Sequence, residues 1–218
     1  MELITQFFDF ILHIDQYLVK LVSDYQTWTY LIIFLIIFAE TGFVVTPFLP
    51  GDSLLFAVGA LIAKGDTGLD IYIMGALLIA GAIMGNTVNY FLGNYFGETV
   101  FKPGNRVLKL EYYHKTQSYF EKKGGSMLVI SRFMPIFRTI APFVAGIGKM
   151  NFGLFTYYNV VGGIFWIVSF LGIGFIFGNI PFIKDNFTYV MLVIIVVTIL
   201  PAVFAAIKAR RTMTEGDV

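Results

Sequence analysis

The sequence predicts an all-α integral membrane protein built from two inverted units. Each unit is a re-entrant helix hairpin plus a transmembrane helix, with an N-terminal amphipathic helix before them and a C-terminal transmembrane helix after. Three observations lead there. The 218 residues are 57% hydrophobic and only 13% charged, against about 25% charged in soluble domains. Three charge-free stretches are long enough to cross a bilayer, which takes about 20 apolar residues. Two further apolar regions are interrupted by charges, prolines and glycines, at corresponding places before the first and second crossings.

Taken in order, residues 1–24 form an amphipathic helix. Phe7, Phe8, Ile11, Ile14, Leu18 and Leu21 share one helical face, and Asp9, His13, Gln16 and Lys20 another. That pattern suits a helix lying at the membrane interface. It is not a signal peptide, since it lacks a basic start and a clean apolar core.

A single transmembrane domain covers 25–207. Residues 25–63 make the first hairpin, broken between Glu40 and Asp52 by Thr41-Gly42-Phe43-Val44-Val45-Thr46-Pro47-Phe48-Leu49-Pro50-Gly51. Residues 71–97 cross the membrane. Residues 98–123 form a basic cytoplasmic segment with Lys102, Arg106, Lys109, Lys115, Lys122 and Lys123. The second hairpin, 124–149, carries Arg132, Pro135, Arg138 and Pro142. Two prolines with glycines are expected to break a helix, and non-helical backbone at membrane depth must be buried in protein or face a wet cavity. Both breaks therefore belong at the protein centre. Spans at 152–178 and 186–207 follow. The tail, 208–218, carries Lys208, Arg210 and Arg211. Basic residues favour the cytoplasm, and two spans separate the second hairpin from the tail, so both basic regions fall on the cytoplasmic side. Paired, interrupted segments in corresponding positions point to a transporter site.

The chemistry lies in those breaks. Glu40 and Asp52 are two negatives, Arg132 and Arg138 two positives. A lone charge at the bilayer centre costs about 2.5–3.5 kcal/mol on insertion scales. If the hairpins meet, the four offset one another. Two guanidiniums converging on one centre make a clamp for phosphate or carboxylate. On a straight helix Arg132 and Arg138 would point about 240° apart, and the Pro135 break lets both turn inward. Glu40 and Asp52 are then placed for proton coupling, because an anion competing for the arginines would release the carboxylates to take up protons. Two blander readings stand beside this one. Asp52 suits an N-cap, and the acid–arginine pairs suit a structural lock without ligand.

Asn86, Asn89, Tyr90 and Gly93 share a helix face at i, i+3, i+4 and i+7, alongside Gly81-x-x-x-Gly85 and Gly93-x-x-x-Gly97. Small residues and asparagines favour close helix packing. Cavity lining by Asn86, Asn89 and Tyr90 is the other reading. Asn159, Gly162, Gly163 and Trp166 read in the same way.

Several function classes fall away. There is no cysteine, which excludes disulfides, thiolate catalysis and cysteine metal sites. A net charge of +1 gives no global field to recruit nucleic acid. The two histidines, His13 and His114, lie outside both hairpins, so phosphatase or metal-hydrolase chemistry is poorly supported, although two carboxylates can hold Mg²⁺. No enzyme activity, resident metal or cofactor is expected.

The chain resembles the DedA family of the SNARE-associated Golgi protein (VTT-domain) superfamily. Phe38-Ala39-Glu40-Thr41-Gly42 through Pro47-Phe48-Leu49-Pro50-Gly51-Asp52 is similar to that family's first hairpin. Ser131-Arg132-Phe133-Met134-Pro135-Ile136-Phe137-Arg138-Thr139, with Pro142, Ala145 and Gly146, is similar to its arginine motif. Phe120 to Gly125 and the Gly85-Asn86 to Gly93 span add to a resemblance covering residues 25–180. It implies a multi-pass protein of the bacterial inner membrane with two opposed re-entrant hairpins and a cytoplasmic C-terminus. It also implies undecaprenyl phosphate recycling across the membrane, driven by the proton gradient and supporting envelope homeostasis. The implied partners are membrane lipids and polyprenyl phosphate, with Glu40, Asp52, Arg132 and Arg138 at the family's charged positions. The alternatives are a proton-coupled small-cation exporter, which would not need two buried arginines, and a nonspecific phospholipid scramblase, which would show no proton dependence.

Overall fold

The computed structural model describes residues 14–43, 51–65, 67–96, 118, 120, 124–178, 180–181, 189–190 and 193. Residues 1–13, the break at 44–50, nearly all of the basic segment, most of the final span and the tail lie outside the described residues. Seven helices are described: α1 (Ile14–Tyr25), α2 (Trp28–Gly42), α3 (Gly51–Ala63), α4 (Ile71–Phe96), α5 (Ser126–Ser131), α6 (Pro135–Ile147) and α7 (Phe152–Phe177).

Two long helices form the frame. Each of α4 and α7 has 26 residues, about 39 Å at 1.5 Å per residue, enough for a hydrocarbon core of about 30 Å. Neither carries a charged residue. Their starts are fixed by side-chain caps. Asp70 Oδ1 accepts from the N–H groups of Tyr72 and Ile73 at 2.8 and 2.9 Å, and Asn151 Oδ1 accepts from Leu154 N–H at 3.1 Å. These satisfy orphan donors of the first turn. Phe165, Val168 and Ile176 on α7, and Ile73, Met84 and Phe91 on α4, are exposed. In a chain this apolar, those faces suit lipid. This is an all-helical membrane protein.

The other apolar helices are too short to cross. With 15, 13 and 13 residues, α2, α3 and α6 reach only about 20–22 Å. Packing contacts fix their directions. A Cβ on Gly81 would meet the Phe34 ring, and one on Gly85 would overlap the Thr41 hydroxyl and lie 2.7 Å from the Phe38 carbonyl, so α2 runs parallel to α4. By the same test α6 is parallel to α4, since Asn89 reaches the Thr139 carbonyl at 2.7 Å and Gly93, one turn on, lies under the Phe143 carbonyl. Helix α3 is parallel to α7, through Gly59 under Leu171, Gly174 under Phe56 and Gly178 against Ala60. Helices α4 and α7 are antiparallel: Asn159 reaches the Ile83 carbonyl at 3.0 Å, while Leu171 lies against Gly75. Thus α2 and α3 run in opposite directions, and so do α5 and α6, because Gly125 meets the Tyr158 ring and Gly162 the Val129 backbone, which makes α5 parallel to α7.

The glycine contacts repeat. Phe56-x-x-Gly59 meets Leu171-x-x-Gly174, and Phe143-x-x-Gly146 meets Tyr90-x-x-Gly93. In each pair, the carbonyl three residues before one glycine covers the other glycine. Small residues let backbones approach this closely. Helix α3 therefore packs closely on α7, and α6 on α4.

Helix α1 covers the mouth of the first pair of short helices. Leu18 and Val22 are buried against the main core, while Lys20 is exposed, which agrees with the predicted amphipathic pattern. Beside it, the Tyr30 hydroxyl accepts the Asp70 N–H at 2.6 Å, tying the start of α2 to the turn before α4.

Pro135 breaks the chain as expected. Met134 before it is extended (φ −122°, ψ 105°) and Pro135 opens α6, where a missing N–H costs nothing. Pro142 does not break it. Helix α6 continues through Pro142 to Ile147, held along its length by the close glycine contacts with α4. Tertiary packing here outweighs a local preference.

Candidate functional site

The ends of the short helices converge on one buried cluster. Glu40 lies in the last turn of α2, Asp52 in the first turn of α3, and Arg138 in the first turns of α6. Arg138 Nη1 donates to Asp52 Oδ1 at 2.9 Å, and Arg138 Nη2 pairs with Glu40 Oε1. Glu40 is 0%, Asp52 4% and Arg138 5% exposed. One guanidinium thus serves two carboxylates, with the fork geometry that lysine lacks.

Helix ends add to the field. Asp52 sits inside the first turn of α3 instead of capping it, and a Cβ on Gly51 would overlap the Glu40 carboxylate. Both acids therefore crowd the positive end of α3, where negative charge is favoured. Arg138 lies near the positive end of α6, an unfavourable position for a cation that the paired carboxylates offset.

Arg132, the last residue before the break, has different partners. Its Nη2 donates to Asn159 Oδ1 at 2.6 Å and to the Asn159 carbonyl at 3.3 Å. It is 2% exposed. Among the described residues no carboxylate pairs with it, and its Nε has no hydrogen-bond partner. The arginine clamp expected from sequence is therefore divided, with Arg138 held by acids and Arg132 by neutral oxygens. Trp166 joins the two. Its Nε1 donates to Asp52 Oδ1 at 2.8 Å, and the guanidinium carbons of Arg132 and Arg138 lie 5.9 and 5.4 Å from its ring centre, within cation–π range.

The asparagines act as fasteners. Asn89 Nδ2 donates to the Thr41 carbonyl at 3.2 Å and to the Thr139 carbonyl at 2.7 Å. It therefore ties the end of α2 to α6, and Thr41 O is one of the carbonyls that a helix end leaves unpaired. Tyr90 donates its hydroxyl to the Met150 carbonyl at 2.5 Å. Asn86 is buried at 2%. All three side chains are buried. Sequence reasoning placed Asn159 and Trp166 with them as helix packing and missed their contacts with the charges. The available signal was their i, i+7 spacing on the Gly162–Gly163 face.

A buried four-charge centre between short helices, framed by two long apolar helices, defines an all-helical integral membrane protein with ionisable groups in its interior. Residues 49–176 match the VTT domain family model, and the chain belongs to that family, within which it is a DedA-type protein. It is 47% identical over 217 residues to Protein DedA of Escherichia coli, covering 99% of each chain. It is 36% identical over 181 residues to an uncharacterized membrane protein of Mycobacterium leprae, covering 83% of this chain and 80% of that one. It is also 36% identical over 153 residues to Inner membrane protein YqjA of Escherichia coli, covering 70% and 69%. No solved structure matches.

Proposed function

We propose that the chain is a proton-coupled transporter of a phosphate-bearing membrane lipid, with undecaprenyl phosphate as the substrate implied by the family resemblance. In this reading it sits in the bacterial inner membrane with its C-terminus in the cytoplasm. The pairs α2–α3 and α5–α6 are opposed re-entrant hairpins in two inverted units. The opposed helix directions and the repeated glycine contacts support that arrangement.

The observation that carries the function is the buried junction itself. Four ionisable side chains, none more than 5% exposed, occupy a region where charge is costly and usually functional. The arrangement suits a mutually exclusive exchange. While Arg138 holds Glu40 and Asp52, it has little to offer an anion. A phosphate that engages the guanidiniums displaces the carboxylates, which then favour protons. The centre is closed in this structure, so transport requires the hairpin ends to part. The acyl or prenyl chain stays in lipid while the head group crosses. No step in this scheme needs catalysis or a cofactor beyond the proton gradient.

The test is transport of polyprenyl phosphate between leaflets of liposomes holding the purified protein, with and without a pH gradient. Movement that the gradient accelerates, and that folded Glu40→Gln and Arg138→Ala variants lose, supports the proposal. Gradient-independent movement of ordinary phospholipids favours the scramblase. Absence of any lipid movement from well-folded protein overturns the lipid reading and leaves the small-cation exporter or a structural lock.

A further inference from the structure

We propose that the first anion-binding station is Arg132 with Asn159 and the face of Trp166, and that it is distinct from the Arg138 cluster. The ligand class is a phosphate monoester carried on an apolar chain. The inference rests on the transport reading above and assigns unequal tasks to the two arginines.

Three observations carry it. The first is charge. Arg138 is matched by two carboxylates, whereas among the described residues Arg132 meets only neutral acceptors: Asn159 Oδ1, the Asn159 carbonyl, and the Ala82 carbonyl at 3.5 Å. A buried guanidinium without a counter-charge is the stronger attractor for an incoming anion, because no ion pair must break first. The second is unused capacity. Arg132 Nε is buried and without a hydrogen-bond partner, so part of its five-donor fork is available. The third is the surroundings. A Cβ on Gly162 would come within 3.1 Å of Arg132 Cδ and Nε, and one on Gly163 within 3.5 Å of Nη2. The two glycines thus keep a side-chain-free wall beside the guanidinium.

The neighbouring residue suits a lipid tail. Phe133 follows Arg132 at the break and packs on Phe165 and Phe170, with ring centres 5.7 and 6.2 Å apart. Phe165 is 61% exposed on the outer face of α7. A head group at Arg132 would have an aromatic, outward-facing surface beside it for the first part of its chain. Trp166 then connects the stations, since its ring approaches both guanidiniums while its N–H holds Asp52.

The experiment uses the full chain in detergent with Trp28→Phe. The protein has two tryptophans, so Trp166 becomes the sole reporter. Farnesyl phosphate is titrated against its emission, with farnesol and inorganic phosphate as separate arms. The expected result is a saturable change with farnesyl phosphate and none with farnesol. A comparable response to inorganic phosphate would overturn the lipid assignment in favour of a free-anion site. Arg132→Gln and Asn159→Asp, the second placing a counter-charge against Arg132, should each weaken binding at least tenfold. The charge-balanced double variant Glu40→Gln/Arg138→Gln should weaken binding less than either of those two substitutions does. Loss of binding in that folded double variant, with retention in Arg132→Gln, would overturn the assignment. No saturable change from a protein that still moves polyprenyl phosphate would also overturn it while leaving the transport reading intact. Failure of transport itself would remove that reading.

Discussion

Replacing Arg138 tests the buried cluster most directly. Arg138→Met leaves Glu40 and Asp52 facing each other at 0% and 4% exposure with no cation between them. Removing one partner of a buried ion pair costs about 3–5 kcal/mol. Here one guanidinium neutralises two carboxylates, and the Trp166 N–H at 2.8 Å stays with Asp52 but is neutral. The loss should therefore reach the upper part of that range. Glu40→Gln should cost less, because Arg138 retains Asp52 at 2.9 Å. The triple variant Glu40→Gln/Asp52→Asn/Arg138→Met removes every charge of the cluster and should regain most of the stability, since neutral replacement of a buried ion pair is often tolerated. Thermal unfolding in detergent, followed by tryptophan emission, is the assay. For a chain of this size each 1 kcal/mol moves the midpoint by about 2–4 °C, so a loss of about 4–5 kcal/mol should lower it by about 8–20 °C. A midpoint for Arg138→Met within about 2 °C of the parent, or a triple variant no better than the single one, would refute the account of a paired, solvent-free cluster.

Other substitutions probe the packing around it. Gly93→Ala and Gly174→Ala should each destabilise by about 1–3 kcal/mol, because the added Cβ meets the Phe143 and Phe56 carbonyls. Gly172→Ala meets nothing within 4 Å and should be neutral or gain up to about 1 kcal/mol of helix propensity; thermal melts compare all three. Trp166→Phe keeps an aromatic ring but removes the N–H bond to a carboxylate, worth about 1.5–3 kcal/mol, and part of a fully buried indole, and should lower the midpoint. Asp70→Ala removes the two cap bonds at the start of α4 and should cost about 0.5–2 kcal/mol, with faster amide exchange confined to the first turn as its signature.

The family resemblance and the charge positions were legible because they depend on local, linear information. Charge-free stretches of at least 20 residues and Pro135 at the break act on their immediate neighbours. Where spans were expected at 71–97 and 152–178, the described residues carry helices at 71–96 and 152–177. Pro142 is the instructive failure. Its local tendency to break a helix was read correctly, but the outcome depended on Gly93 and Gly146, which bring α4 and α6 together.

The partners of each charge were not legible. Arg138 reaches Glu40 and Asp52 across 98 and 86 residues, and Trp166 reaches Asp52 across 114. The sequence by itself placed four ionisable residues in two interrupted apolar segments, where charge is costly unless paired. Only the tertiary structure decided that the arginines divide, Arg138 to the carboxylates and Arg132 to Asn159. The physical reason is that side-chain pairing at a helix junction depends on the angles and separations at which helices cross. Here those are set by glycines meeting backbone carbonyls on distant helices, a relation that no local spacing encodes.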